Sequence, residues 1–250
     1  MIPISDDNPH DQVPIVTWTL MAACIGVFLW QLGLGPSEGR AFIYSYGVIP
    51  AVLLGGRDLD PGLVAIPAWA TIFSSMFLHG GLLHLAGNML YLWIFGDNVE
   101  AAMGRVRFLI FYLACGVAAA LTQSLLNTDS TIPMVGASGA ISGVLGAYLV
   151  LYPRAHVRVL LWFFYFVRIV RVPAMVVLGL WFALQLLSGL AAPSGEGGGV
   201  AFWAHVGGFV AGMALVMAFK KPIEPSRTPA SRTTYRPRPG RRAGPWDRRR

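Results

Sequence analysis

The chain has 250 residues, of which 55% are hydrophobic and 12% charged, with a mean hydropathy of +0.59, a net charge of +7 and a pI near 9.8. Soluble domains carry roughly 25% charged residues, so this composition excludes a soluble enzyme as the body of the molecule and points to a polytopic membrane protein. Eleven of the nineteen Lys and Arg lie from Lys220 onward, which pairs that charge with an anionic leaflet and leaves no nucleic-acid partner to be expected.

The first stretch, "MIPISDDNPHDQVP", holds three Asp and no Lys or Arg. A secretory signal peptide needs a basic start and a small-residue cleavage site. Residues 1–15 therefore read as a short N-terminal tail, and the apolar run at 16–34 as a retained transmembrane helix. A long connection follows to Trp69. It contains the turn-rich "GGRDLDPG" (Gly55 to Gly62) and the aromatic-rich "AFIYSYGVIP" (Ala41 to Pro50), whose aromatics suit the headgroup region.

Further apolar runs occupy 82–97 and 106–126. The next begins at "VGASGAISGVLG" (Val135 to Gly146) and ends near Tyr152-Pro153. It is shorter than the roughly 20 residues of a full crossing. The segment "RAHVRVLLWFFYFVRIVRVP" is aromatic and basic together and reads as an interfacial connection. Runs at 173–191 and 200–219 complete the set, joined by "APSGEGGG" (Ala192 to Gly199), which reads as a flexible loop. From Lys220 the chain is rich in Pro, Arg and Ser, and 220–250 is expected to be a basic, disordered cytoplasmic tail. The expected fold class is all-α: a polytopic bundle of six transmembrane helices over 16–219.

Orientation follows from the Lys and Arg. Six spans put both termini on one side. Arg105, Arg107, Arg154, Arg158, Arg168 and Arg171 fall on that side, and only Arg40 and Arg57 on the other. The side with both termini is therefore cytoplasmic, and a bacterial inner membrane is the expected location. Cys24 and Cys115 lie inside apolar runs and read as buried free thiols.

Polar groups at membrane depth are costly and mark function. His84 and Asn88 are four apart and share one face of their helix. Ser138 and Ser142 share a face in the same way. His205 opens "HVGGFVAG", in which Gly208 and Gly212 form a GxxxG, and Gly139 and Gly143 form another. Small residues at that spacing let two helix backbones approach closely. The glycines can then bring a serine of one helix within reach of the histidine of the other. Ser138 opens its helix, beside backbone N–H groups that lack partners. That suits a nucleophile next to a base and an oxyanion site. Ser142 is the rival nucleophile, one turn deeper. No aspartate stands in a place to complete a triad, so the pattern predicts a Ser–His dyad. No HExxH and no carboxylate accompany the histidines, so neither metal nor cofactor is expected. A transporter would carry repeated halves or paired broken helices, and no internal repeat is visible.

Four pieces in order resemble the rhomboid family of intramembrane serine proteases: "HGGLLHLAGN" (His79 to Asn88), "FGDNVEAAMGRVRF" (Phe95 to Phe108), "GASG" (Gly136 to Gly139) and "AHVGGFVAG" (Ala204 to Gly212). The resemblance implies Ser138 as nucleophile and His205 as general base. It implies an oxyanion hole of the Ser138 N–H with His84 and Asn88, and His79 as its structural companion. Gly136, Gly139 and Gly208 would support the site, and Glu100 would tie loops together. Membrane proteins would be the substrates, within the lipid bilayer. The other function to weigh is a catalytically inactive rhomboid-like protein that binds membrane clients. Two departures stand out. Ser142 occupies the place where the family often has an aromatic under the histidine, so something else must orient His205. Trp69 is followed by Ala70, where the family often has arginine.

Overall fold

A computed structural model describes residues 2–8, 12–163, 165–191 and 201–221. Helices dominate. α1 (Ile15–Gly33) is followed by α2 (Pro36–Tyr46) and two single turns, α3 (Pro50–Leu53) and α4 (Thr71–Ser74). Then come α5 (Leu82–Met103), α6 (Arg105–Leu126), α7 (Ser138–Leu151), α8 (Ala174–Ala191) and α9 (Phe202–Phe219). Among the described residues, α1, α6, α8 and α9 are long and apolar enough to cross a membrane. The molecule is an integral membrane protein. α5 is 22 residues long but carries His84, Asn88, Asp97, Asn98 and Glu100, and α7 has only 14 residues. The expected loop at Ala192–Gly199 and the tail beyond Lys221 lie outside the described residues.

The fold is mostly rather than wholly helical. The segment expected to be a plain interfacial connection is a β-hairpin, β2 (His156–Phe163) and β3 (Phe166–Pro173). Its strands pair antiparallel, with Val157 opposite Val172 and Val159 opposite Val170. The alternation of Val with Arg places Val157 and Val159 in the core and Arg158 in solvent, and the many β-branched residues favour the pleated form. The acidic N-terminal segment adds β1 (Ile2–Asp6) to the β2 edge.

Backbone-to-backbone packing of α7 on α9 centres the bundle. A Cβ on Gly208 would strike the carbonyl oxygen of Gly139, and one on Gly212 the carbonyl oxygen of Gly143. α7 is buried along its length, with Tyr148, Leu145, Val144 and Ala140 in the core. α6 packs against both; a Cβ on Gly139 would fall 2.6 Å from Cβ of Ala119.

Two anchors set the ends of the bundle. Glu100, 2% exposed, accepts from the N–H groups of Val16 (3.0 Å) and Thr17 (2.7 Å) and from the Thr17 hydroxyl (2.8 Å). It thereby binds the positive N-terminal end of α1. At the other end of α1, Gln31 exchanges two hydrogen bonds with the backbone of His79.

Candidate active site

Ser138, His84 and His205 are the first residue of α7, the third of α5 and the fourth of α9. All three helices begin at the same end of the molecule, so their first turns converge on one cavity of about 1110 Å³. Its lining includes Ser138, His205, His84, Asn88, Gly136 and Gln185.

His205 Nε2 lies 2.8 Å from Ser138 Oγ. The glycine contact between α7 and α9 permits this approach, since Gly208 sits three residues past His205 and Gly139 one past Ser138. Gln123 of α6 fixes the start of α9 by accepting from the Ala204 N–H at 3.2 Å. On the other side of the imidazole, Nδ1 lies 2.7 Å from Gln185 Oε1 of α8. The Trp181 ring packs 5.9 Å from the His205 ring, centre to centre. Those two α8 residues stand where the sequence left the orientation of His205 open. Sequence reasoning missed both: α8 reads as a plain apolar span, and its one amide, Gln185, was the available signal.

Ser142 does not rival Ser138 in this geometry. The residue is 1% exposed, and its hydroxyl donates to the Ser138 carbonyl at 2.6 Å, the back-bond a serine makes inside a helix.

His84 and Asn88 face the turn before Ser138. Gly136 has φ +123°, a region L side chains rarely adopt, and a Cβ there would fall 2.7 Å from His84 Nε2 and 3.6 Å from Asn88 Nδ2. Only glycine satisfies both demands. The Gly136 N–H is held by the Ser75 carbonyl at 2.8 Å. The Gly80 N–H donates to His84 Nδ1 at 3.3 Å. That nitrogen is therefore the acceptor, and the proton of neutral His84 resides on Nε2, toward Gly136. Asn88 Nδ2 is buried with no hydrogen-bond partner. An unpartnered buried donor is costly. Here both nitrogens lie against Gly136, two residues before Ser138.

His79 is buried behind them. Its Nδ1 bonds the Phe77 carbonyl at 3.2 Å, and its ring meets the His84 ring edge-on at 5.3 Å. Burial first, then the charge of neighbouring His84, lowers its pKa to about 4 against the opposing Phe77 bond. Trp69 is 64% exposed. Among the described residues no cluster of His, Cys, Asp and Glu is arranged to hold a metal ion.

The serine hydroxyl and the imidazole nitrogen lie within a stretch that matches a family model: the rhomboid domain model matches residues 67–222. The chain belongs to the rhomboid family. It is similar to mitochondrial rhomboid protein 1 of Saccharomyces cerevisiae, with 31% identity over 219 residues, which cover 85% of this chain and 55% of the relative. It is 30% identical over 152 residues to the rhomboid protease AarA of Providencia stuartii, covering 54% of this chain and 50% of that one. A third relative, the rhomboid protease GluP of Bacillus subtilis, is 41% identical over 90 residues, 36% of this chain and 17% of GluP. The chain thus spans from under a fifth to just over half the length of these relatives.

Proposed function

We propose that this rhomboid is an active serine endopeptidase that cleaves membrane proteins within the bilayer. The observation that carries the reading is the 2.8 Å approach of His205 Nε2 to Ser138 Oγ inside a cavity lined by His84 and Asn88. Two relatives named as proteases accord with it.

Ser138 Oγ attacks the scissile carbonyl carbon while its proton passes to His205 Nε2. The tetrahedral oxyanion accepts from the Ser138 N–H, His84 Nε2 and Asn88 Nδ2, donors already in place before charge develops. Collapse breaks the C–N bond, and His205 returns the proton to the leaving amine. Water, activated by the same imidazole, then hydrolyses the acyl-enzyme. His79, Gly136, Gly139 and Gly208 hold these groups without reacting.

Six spans fit this chemistry: α1, α5, α6, α7, α8 and α9, forming a domain over about 16–219 in which short α7 starts below the outer surface. The cavity then opens outward and admits water, which peptide hydrolysis requires. The six-to-two Arg bias supports cytoplasmic termini. A bacterial cell membrane accords with the Bacillus and Providencia relatives; the yeast relative is mitochondrial.

The test is to incubate purified protein with a panel of single-pass membrane proteins and map the cut sites. Wild type cleaves, Ser138→Ala does not, and Ser142→Ala retains most of the rate. Client binding without cleavage by the wild type would instead mean an inactive, escort-type rhomboid.

A further inference from the structure

The structure assigns Gln185 as a positioning residue that sets the tautomer of His205; this rests on the proposed protease reading. Gln185 Oε1 is an acceptor with no proton to give. The facing Nδ1, at 2.7 Å, must therefore carry the single proton of neutral imidazole. Nε2 is left with its lone pair, and it is Nε2 that meets the Ser138 hydroxyl at 2.8 Å. The opposite tautomer would put an N–H against Oγ and leave no base. Trp181, one turn earlier on α8, packs against the same ring, so α8 holds the imidazole both by its face and by its edge. In the acyl-transfer step the proton moves from Oγ to Nε2, and the Nδ1–H stays on the Gln185 carbonyl throughout. A dyad thus gains a neutral third member from an otherwise mostly apolar helix.

Gln185→Leu removes the acceptor and keeps the bulk. It should lower kcat about 10- to 100-fold with KM nearly unchanged, the pattern of a lost transition-state interaction. Gln185→Glu keeps an acceptor and should retain most of the rate. Its carboxylate holds the imidazolium, so the acidic limb of the pH–rate profile should move to higher pH. The readout is cleavage kinetics across pH beside the rate of fluorophosphonate labelling at Ser138. Wild-type kinetics in Gln185→Leu, together with an unmoved pH profile in Gln185→Glu, would overturn the assignment while leaving the protease intact. A wild type that neither cleaves nor labels would overturn both. If Gln185→Leu fails to fold, the position of the acidic limb in Gln185→Glu decides alone.

A second observation carries a separate inference. We infer that the β2–β3 hairpin is a contact surface for anionic lipid headgroups on the face opposite the active site. β3 runs directly into α8, so the hairpin is rooted at the membrane surface. Its base packs on the core through Val157 and Val159, and exposure rises toward the turn. Tyr165 at the turn is 98% exposed, and Val167 and Ile169 are 60% exposed. Arg158 and Arg171, paired across the strands, share the face of Val167 and Ile169, and Arg168 is exposed on the other face. Apolar and aromatic groups interleaved with arginine match the headgroup zone of an anionic leaflet. A spin label at Tyr165→Cys reports depth in vesicles. In phosphatidylglycerol-rich vesicles it should collide more with oxygen than with a water-soluble nickel chelate. Arg158, Arg168 and Arg171 changed together to Glu should abolish that preference. Water-like collision rates in these vesicles would overturn the inference, as would burial seen only after a soluble protein is added.

Discussion

In the proposed reaction Ser138 would owe its reactivity to its neighbours rather than to its own chemistry. Its Oγ has an imidazole 2.8 Å away, and the Ser142 hydroxyl is occupied by the Ser138 carbonyl. Asn88 is the donor to test beside it, because its Nδ2 is buried without a partner. Asn88→Ala should lower kcat about 100- to 1000-fold, as loss of an oxyanion donor does elsewhere, while thermal stability holds or rises. A matched fall in stability and rate would make Asn88 a packing residue instead. The approach of His205 to Ser138 was legible in the sequence because the glycines of α7 and α9 stand at GxxxG spacing, and His84 and Asn88 stand four apart on one helix. Gln185 was not, because a single amide in an apolar span usually satisfies a neighbouring backbone and has no spacing partner to mark it.

Helix packing supplies the precision these side chains need. A Cβ on Gly208 would meet the Gly139 carbonyl oxygen, so Gly208→Ala must push α9 away from α7. Overpacking of this kind costs about 1–3 kcal/mol, and the dyad distance lengthens with it. Melting in detergent and cleavage rates should both fall. Glu100 works at the same scale. Glu100→Ala strands two backbone N–H groups and a hydroxyl at the start of α1, a cost on the order of 1–3 kcal/mol, readable as a lower melting temperature. The paired GxxxG motifs made the α7–α9 contact legible. The strands were less so. β1 is five residues long and its pairing partner lies more than 150 residues away. Aromatic and basic residues together in β2–β3 read equally as an interfacial loop. Only the alternation of Val and Arg separates the two.

Across the described residues Ser138, His205 and His84 gather at one end and a carboxylate network at the other. Asp6 of β1 accepts from the Tyr148 hydroxyl at 2.5 Å and from Asn98 Nδ2 at 3.0 Å. Burial raises its pKa from 3.8 to about 6, opposed by the Tyr148 bond and reinforced by Asp97. A carboxyl with a raised folded pKa adds stability below 3.8 and loses it as pH rises through about 6. Asp6→Asn should therefore gain more melting temperature at about pH 7.5 than at about pH 4.5. Equal gains at both would mean Asp6 does not titrate against the fold. The end that β1 docks is the end away from Ser138, so this change should leave cleavage intact. The dyad itself is tested most directly by fluorophosphonate labelling of the purified full chain, with the adduct mapped by mass spectrometry. The adduct is expected on Ser138 and is expected to vanish in His205→Ala. No adduct on the folded wild type, or an adduct on Ser142, would contradict the account.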